Sequence, residues 1–311
     1  MEKLLIYTTD ACLEHRPGPS HPERPERLTA VRKALKAPEF KGIPWKDSPL
    51  GTREQLLLIH TPEYVDRISR LRPKSGYVPL DGGDTVMSPG TWDAVVGCVG
   101  AACAAVDEVV SGAYQRVFCA TRPCGHHAEA DRAMGFCVFN QAAVAVAYAS
   151  KKHRVPRVGI VDFDVHHGNG TQAAFYFRPE IFYGSCHQSP FYPGTGAKHE
   201  TGVDNNVVNV PLPRGCSSEV FRARMQSEML PALQRFEPAL LLISAGFDAH
   251  QRDSLGGLNL TDDDFYWITK ELVSIANHCC EGKIVSILEG GYSLDGLATG
   301  SAAHVRALME D

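Results

Sequence analysis

The chain has 311 residues, 44% hydrophobic and 22% charged, with a formal net charge of -5 and a sequence pI near 6.2. That acidic balance argues against nucleic acid as a partner, and the composition is that of an ordinary globular protein. Met1-Glu2-Lys3 runs straight into an apolar strand without a signal-peptide pattern, and no apolar run reads as long as the ~18 residues of a membrane span, so no membrane partner is expected.

In chain order, Lys3 to Tyr7 reads as a strand. A loop dense in proline and charge follows, Glu14 to Arg27, and leads into a helix ending near Leu35. Prolines stiffen such a loop and lower the entropy cost of holding its His, Arg and Glu side chains in place. Helical patches come near Arg53 to Leu58 and Pro62 to Leu71, then Gly82-Gly83-Asp84-Thr85, then a long helix from about Thr91 to Val110. Val117 to Ala120 is a strand that opens onto Thr121 to Ala128, and a helix ends near Ala149. Further strands are expected in the run that leads from Arg157 into the cluster holding Asp162, Asp164 and His166, and at Ile181 to Ser185, Val207 to Val210, Leu240 to Ser244 and Ile284 to Leu288. Helices intervene at Thr171 to Tyr176, Ser218 to Phe236 and Thr261 to Cys280, the last with Thr261 and Asp264 spaced as a capping box. A final helix covers Leu294 to Met309. Alternating strands and helices predict a three-layer α/β fold with a mostly parallel sheet and helices on both faces, as one domain over 1–311. The ten cysteines contain no C-x-x-C pair and lie mostly in apolar segments, which predicts reduced, buried thiols in a cytoplasmic protein.

The densest chemistry lies in Val161-Asp162-Phe163-Asp164-Val165-His166-His167-Gly168-Asn169. Asp164 and His166, two apart, would leave a strand on the same face, with Asp162 beside them as an outer acceptor. A lone D-x-H is more often a strand end followed by a helix cap. Its company changes that reading. In parallel sheets ligands bind beyond the carboxyl ends of strands, and those ends carry His126-His127, Asp162/Asp164/His166/Asn169, Asp248/His250 and Tyr292. Taken singly, the His pair reads as loop surface, Gly290-Gly291-Tyr292 as a turn and Asp248 as a cap. Together, Asp164, His166 and Asp248 supply two carboxylates and an imidazole for a divalent metal, with a position left for water and substrate. His126 and His127 suit proton transfer, and Tyr292 suits hydrogen bonding to an oxyanion. The chemistry these groups describe is metal-dependent amide hydrolysis.

The chain resembles the zinc-dependent histone deacetylase family, within the arginase/deacetylase fold and nearest its class II branch and bacterial relatives. The matching stretches are His21-Pro22-Glu23-Arg24-Pro25, Arg122 to Ala128, Gly135-Phe136-Cys137-Val138-Phe139-Asn140, Val161 to Gln172, Ser244 to His250 and Glu289-Gly290-Gly291-Tyr292. The resemblance implies that Asp164, His166 and Asp248 bind Zn²⁺, for which Fe²⁺ is a chemically acceptable substitute. It implies His127 as general base and acid, Tyr292 as the group polarising the acyl carbonyl, and the pairs His126–Asp162 and His127–Asn169. A carboxylate raises an imidazole's pKa more than an amide does, so His126 is expected charged and His127 neutral. Also implied are an acyl tunnel walled by Gly135, Phe136 and Tyr192, and a structural K⁺ near Asp162, Asp164, His166 and Ser185. The chain departs from the family pattern at Cys124, Gln141 and Ser254, none of them a catalytic position.

Two other readings compete. A binuclear arginase-like hydrolase needs extra carboxylates where this chain has Gly168 and Gly246. A silent acyl-lysine binding module would have lost a ligand or Tyr292, and all are present. Polyamine-deacetylating relatives place an acidic residue where Leu255 stands here. An acylated lysine of a peptide or protein is therefore the expected partner, with Asp84 as an acceptor for its N–H groups and small acylated amines as the alternative. Oligomeric state is not encoded in any recognisable motif.

Overall fold

The computed structural model describes residues 2–311. In chain order the strands are β1 (Glu2–Thr8), β2 (Trp45–Asp47), the short antiparallel pair β3 (Val78–Pro79) and β4 (Val86–Met87), β5 (Tyr114–Cys119), β6 (Val158–Asp162), β7 (Ile181–Gln188), β8 (Val207–Leu212), β9 (Leu240–Ala245) and β10 (Ile284–Leu288). All but β3 and β4 join one sheet in the order β2-β1-β5-β10-β9-β6-β7-β8, with every pairing parallel. The helices are α1 (Glu26–Ala34), α2 (Arg53–Leu56), α3 (Pro62–Arg70), α4 (Thr91–Ser111), α5 (Gln141–His153), α6 (Asn169–Phe175), α7 (Ser218–Arg224), α8 (Leu230–Phe236), α9 (Asp262–Cys280) and α10 (Leu294–Met309).

The strands are apolar without alternation because both faces of the sheet are covered. In β9, Leu241 and Ile243 join a core that includes Leu28, Leu272 and Val305 of α1, α9 and α10. Leu240 and Leu242 join the opposite core, with Ala101 and Val106 of α4 and Ala142 and Val146 of α5. Burying each such Leu or Val side chain contributes about 1.5–3 kcal/mol relative to exposure.

One expectation needs correcting, and two features add to the sequence reading. Ser218 to Phe236 is not one α-helix: a π-helical turn over Met225–Met229 separates α7 from α8. Pro231, at the start of α8, lacks an N–H and crowds the preceding turn, and a wider turn relieves both defects. β2, three residues long, and the two-residue β3 and β4 carry no periodicity by which a sequence could show them. Finally, α4 is long and apolar enough by composition to cross a bilayer, but most of it is buried, packed on α5 and β5.

Candidate active site

Four neighbouring strands, β5, β10, β9 and β6, deliver the candidate site at their carboxyl ends. β6 ends at Asp162, so Asp164 and His166 lie on the turn beyond it and the pleat does not align them, contrary to the sequence expectation. Hydrogen bonds do. Asp162 Oδ1 accepts the Asp164 N–H at 3.1 Å and starts the turn. Asp164 Oδ1 accepts the His166 N–H at 2.9 Å and faces His166 Nδ1 at 3.1 Å. From the turn after β9, Asp248 places Oδ2 3.2 Å from the same Nδ1. The outer oxygens are held too: Asp164 Oδ2 by the Gly290 N–H at 2.8 Å and Asp248 Oδ1 by the Val165 N–H at 2.8 Å.

One donor atom from each of Asp164, His166 and Asp248 lies within 4.8 Å of the others. Two buried carboxylates side by side favour a positive charge between them. Burial and the neighbouring Asp164 charge push the Asp248 carboxyl up to about 7. Burial opposes charge on His166, yet Asp164 and Asp248 raise its pKa to about 10. A divalent ion would take the place of the His166 proton between the two carboxylates, and that donor set fits zinc. A side chain at Gly246 would run into the Asp164 carboxylate, and one at Gly168 would meet Tyr183 Oη at 2.5 Å. No further ligand fits at either position.

His126 and His127 follow β5. His126 Nδ1 is 2.9 Å from Asp162 Oδ2, and His127 Nδ1 is 2.9 Å from Asn169 Oδ1. Asn169 Nδ2 donates to Glu129 Oε1 at 2.8 Å, which orients the amide so that its oxygen faces His127. Burial disfavours charge on His126, but Asp164 and Asp162 hold its pKa well above the ordinary value. For His127, burial first and then the charges of His126 and His166 push the pKa well below it. The two adjacent imidazoles are thus driven apart.

Several residues that build the site carried no assigned role in the sequence reading. Glu289, buried at the end of β10, accepts the Gly125 and His126 N–H groups at 2.6 and 3.2 Å and the Ser244 hydroxyl at 3.0 Å. Arg27 donates to the Glu289 and Gly291 carbonyls, 2.5 Å each, on either side of the Gly290 peptide. Glu23 balances Arg27 at 2.7 Å and also pairs with Arg122 and His15, all of them buried. Asp253 Oδ2 accepts the Tyr292 and Ser293 N–H groups at 2.6 and 2.8 Å. Their sequence signals were the crowding of charge and proline around Glu23 and the place of Glu23, Arg122 and Glu289 in the stretches that carry the family resemblance.

A cavity of about 230 Å³ brings together Asp84, Gly135, Phe136, Tyr192 and Leu255 with His127, His166 and Tyr292. It also includes Phe191, which stacks on His166 with centroids 5.1 Å apart and which the sequence reading did not single out. Tyr192 turns its ring edge to His127 at 5.2 Å. Burial, with Cys124 nearby, raises the Tyr292 pKa well above the ordinary phenol value, against the opposing Arg27 charge. Ser185 stands level with Asp162 on the neighbouring strand β7. His250 does not join the site: its Nε2 faces Asp262 at 3.2 Å and its ring stacks on Phe265.

The chain matches the histone deacetylase domain model over residues 21–308. It is 36% identical to histone deacetylase 10, chloroplastic, of Oryza sativa subsp. japonica, covering 98% of this chain and 73% of that protein. It is 34% identical to the histone deacetylase-like amidohydrolase of Pseudomonas aeruginosa, covering 94% and 82%. The crystal structure of the HDA15 HD domain superposes with a TM-score of 0.91 at 32% identity, covering 99% of this chain and 88% of that one. With the same parallel sheet and a deacetylase domain model matched across nearly the whole length, this chain belongs to the histone deacetylase family and is a hydrolase of amide bonds.

Proposed function

We propose that the chain removes acyl groups from lysine side chains of peptides or proteins, with Zn²⁺ held by Asp164, His166 and Asp248 and Fe²⁺ tolerated by the same donors. The observation that carries this reading is the channel, where aromatic walls lead to His127, Tyr292 and the metal trio. An extended acyl-lysine stem suits such a passage. A divalent ion bound there supplies Lewis acidity and lowers the pKa of water.

The chain's own groups supply the rest. Because Asn169 presents its oxygen, His127 Nδ1 carries the hydrogen and Nε2 keeps a free lone pair. A neutral His127 accepts the proton of the attacking water at Nε2 and returns it to the departing amine as the C–N bond breaks. His126 stays an imidazolium on Asp162 and adds positive charge beside Asp164, with Nε2 3.8 Å from Oδ1. Tyr292, held protonated, donates to the oxyanion that forms on the acyl carbonyl.

A structural K⁺ by Asp162, Asp164, His166 and Ser185 belongs to the same proposal. His187 Nε2 faces the Gly196 carbonyl at 2.9 Å, so its Nδ1 accepts from Ser185 Oγ at 2.9 Å. The Ser185 hydroxyl then turns its hydrogen to His187 and leaves its oxygen as an acceptor for a hard cation. Ten free thiols support a reducing compartment, for which we propose the cytoplasm.

Leu255 at the channel mouth favours a peptide over a polycation, since it offers a second amine no Coulomb partner. The exposed Asp84 carboxylate on the same cavity favours the alternative, a small acylated amine. The deciding measurement is kcat/KM for an acetyl-lysine peptide against N-acetylated putrescine, cadaverine and spermidine. The peptide is expected to win, and Leu255→Glu to narrow the gap. An acetylpolyamine preferred by more than about tenfold, the scale of one well-made contact, overturns the peptide reading.

A further inference from the structure

We propose that Asp81 and Thr85 are positioning residues that set the bore of the acyl channel and the seat of the His127 ring, a role that rests on the deacylase reading above. Gly135 and Phe136 occupy the centre of a tight turn in which Met134 and Cys137 exchange N–H···O=C bonds of 3.1 and 2.9 Å. Their φ values are +57° and +70°. Two consecutive positive φ values mark a type I′ turn, in which Asn-Gly is usual and a bulky second residue is strained. Such strain persists only where the surroundings hold it.

What holds it is the loop between β3 and β4. The Gly135 N–H donates to Asp81 Oδ2 at 3.2 Å, and the Phe136 N–H donates to Thr85 Oγ1 at 2.9 Å. The Thr85 hydroxyl gives its hydrogen to Asp81 Oδ2 at 2.7 Å, so its lone pairs must face Phe136. The Thr85 N–H closes the loop on Asp81 Oδ1 at 2.5 Å. One carboxylate therefore fixes both outward N–H groups of the turn, one directly and one through a hydroxyl that it orients.

The clamped turn touches the chemistry at two points. A methyl on Gly135 would sit 2.5 Å from His127 Cδ2 and 3.1 Å from a Tyr192 ring carbon, so the turn backbone is itself the surface against which His127 rests. The Phe136 ring is wedged edge-on between His21, 4.7 Å away, and Tyr292, 5.6 Å away. His21 Nε2 in turn lies 3.0 Å from the Asp84 carbonyl. Asp84 at the rim and Phe136 in the wall thus belong to one hydrogen-bonded unit. Without the Thr85 hydroxyl, Phe136 can relax toward negative φ, its ring leaves the channel, and the channel widens.

The test compares Thr85→Val, which keeps the shape and loses the hydroxyl, with Thr85→Ser, which keeps the hydroxyl. Hydrogen exchange over residues 133–138 is measured alongside kcat and KM for acetyl-, hexanoyl- and octanoyl-lysine peptides. Thr85→Val is expected to lose protection in that segment, to raise KM for the acetyl peptide more than it lowers kcat, and to shift acyl preference toward longer chains by roughly tenfold. Thr85→Ser is expected to restore all three. Unchanged protection and acyl preference in Thr85→Val, or a Ser variant that fails to restore them, overturns the proposal. Exchange needs no turnover, so a wild-type protein inert on every acyl-lysine peptide would refute the substrate reading while the exchange result still decides the clamp.

Discussion

The guanidinium carbon of Arg27 lies 4.8 Å from the centre of the Tyr292 ring, while its Nε and Nη2 grip the Gly291 and Glu289 carbonyls. The residue proposed to meet the oxyanion is thereby held by a residue 265 positions earlier, counting from 27 to 292. The planar fork, not the charge alone, makes this grip. Arg27→Lys is expected to lower kcat by about 10–100-fold with metal content retained, and Arg27→Ala to destabilise the fold by about 3–5 kcal/mol because Glu23 is left buried with one partner fewer. Steady-state kinetics and denaturant unfolding check the two halves. A Lys variant with wild-type kcat would show that Arg27 serves the fold alone.

Glu23 makes stability depend on acid. Burial pushes its carboxyl up, but Arg122, His15 and Arg27 overcome this and hold the pKa well below the usual 4.5. A depressed folded pKa means that the stabilisation is fully present above the unfolded value near 4.5 and is lost as pH falls through the folded one. Glu23→Gln is expected to be less stable at neutral pH and to show a flatter loss of stability from about pH 5 downward. Urea unfolding across that range is the measurement, and parallel curves for variant and wild type would contradict it.

Tyr292→Phe removes one hydroxyl and leaves the ring on Arg27 and Phe136. Losing an oxyanion donor typically costs about 10²–10³ in kcat. KM and bound metal are expected to stay near wild type. Turnover within about threefold of wild type would deny Tyr292 that role.

Asp164→Ala, His166→Ala and Asp248→Ala are each expected to abolish bound divalent metal and turnover while circular dichroism shows the fold intact. The motive is the one cluster of donor atoms within 4.8 Å among the described residues, with the outer carboxylate oxygens already tied to main-chain N–H groups. Elemental analysis of the purified variants reads the metal directly. Full activity in metal-free protein would remove the proposed chemistry.

The sequence by itself determined the parallel α/β class, most strand positions and the residue types that stand at strand ends. These are local properties: an unbroken β-branched run declares a strand buried on both faces, and Asp, His and Tyr beside glycine mark a strand end that carries chemistry. The capping signal at Thr261 was of the same kind, and the Thr261 N–H does donate to Asp264 Oδ2, at 2.9 Å. Tertiary structure alone decided which ends meet. The order β5-β10-β9-β6 places the ends of strands far apart in sequence side by side, because crossovers and not chain order set neighbours. It also decided how Asp164 and His166 converge, since hydrogen bonds to Asp162 and Asp164 bend the chain where an extended strand had been read. The roles of Arg27, Glu289, Asp81 and Thr85 stayed unread for one physical reason. Their work is to satisfy main-chain N–H and carbonyl groups of distant turns, and a backbone partner carries no residue-type signature in the sequence.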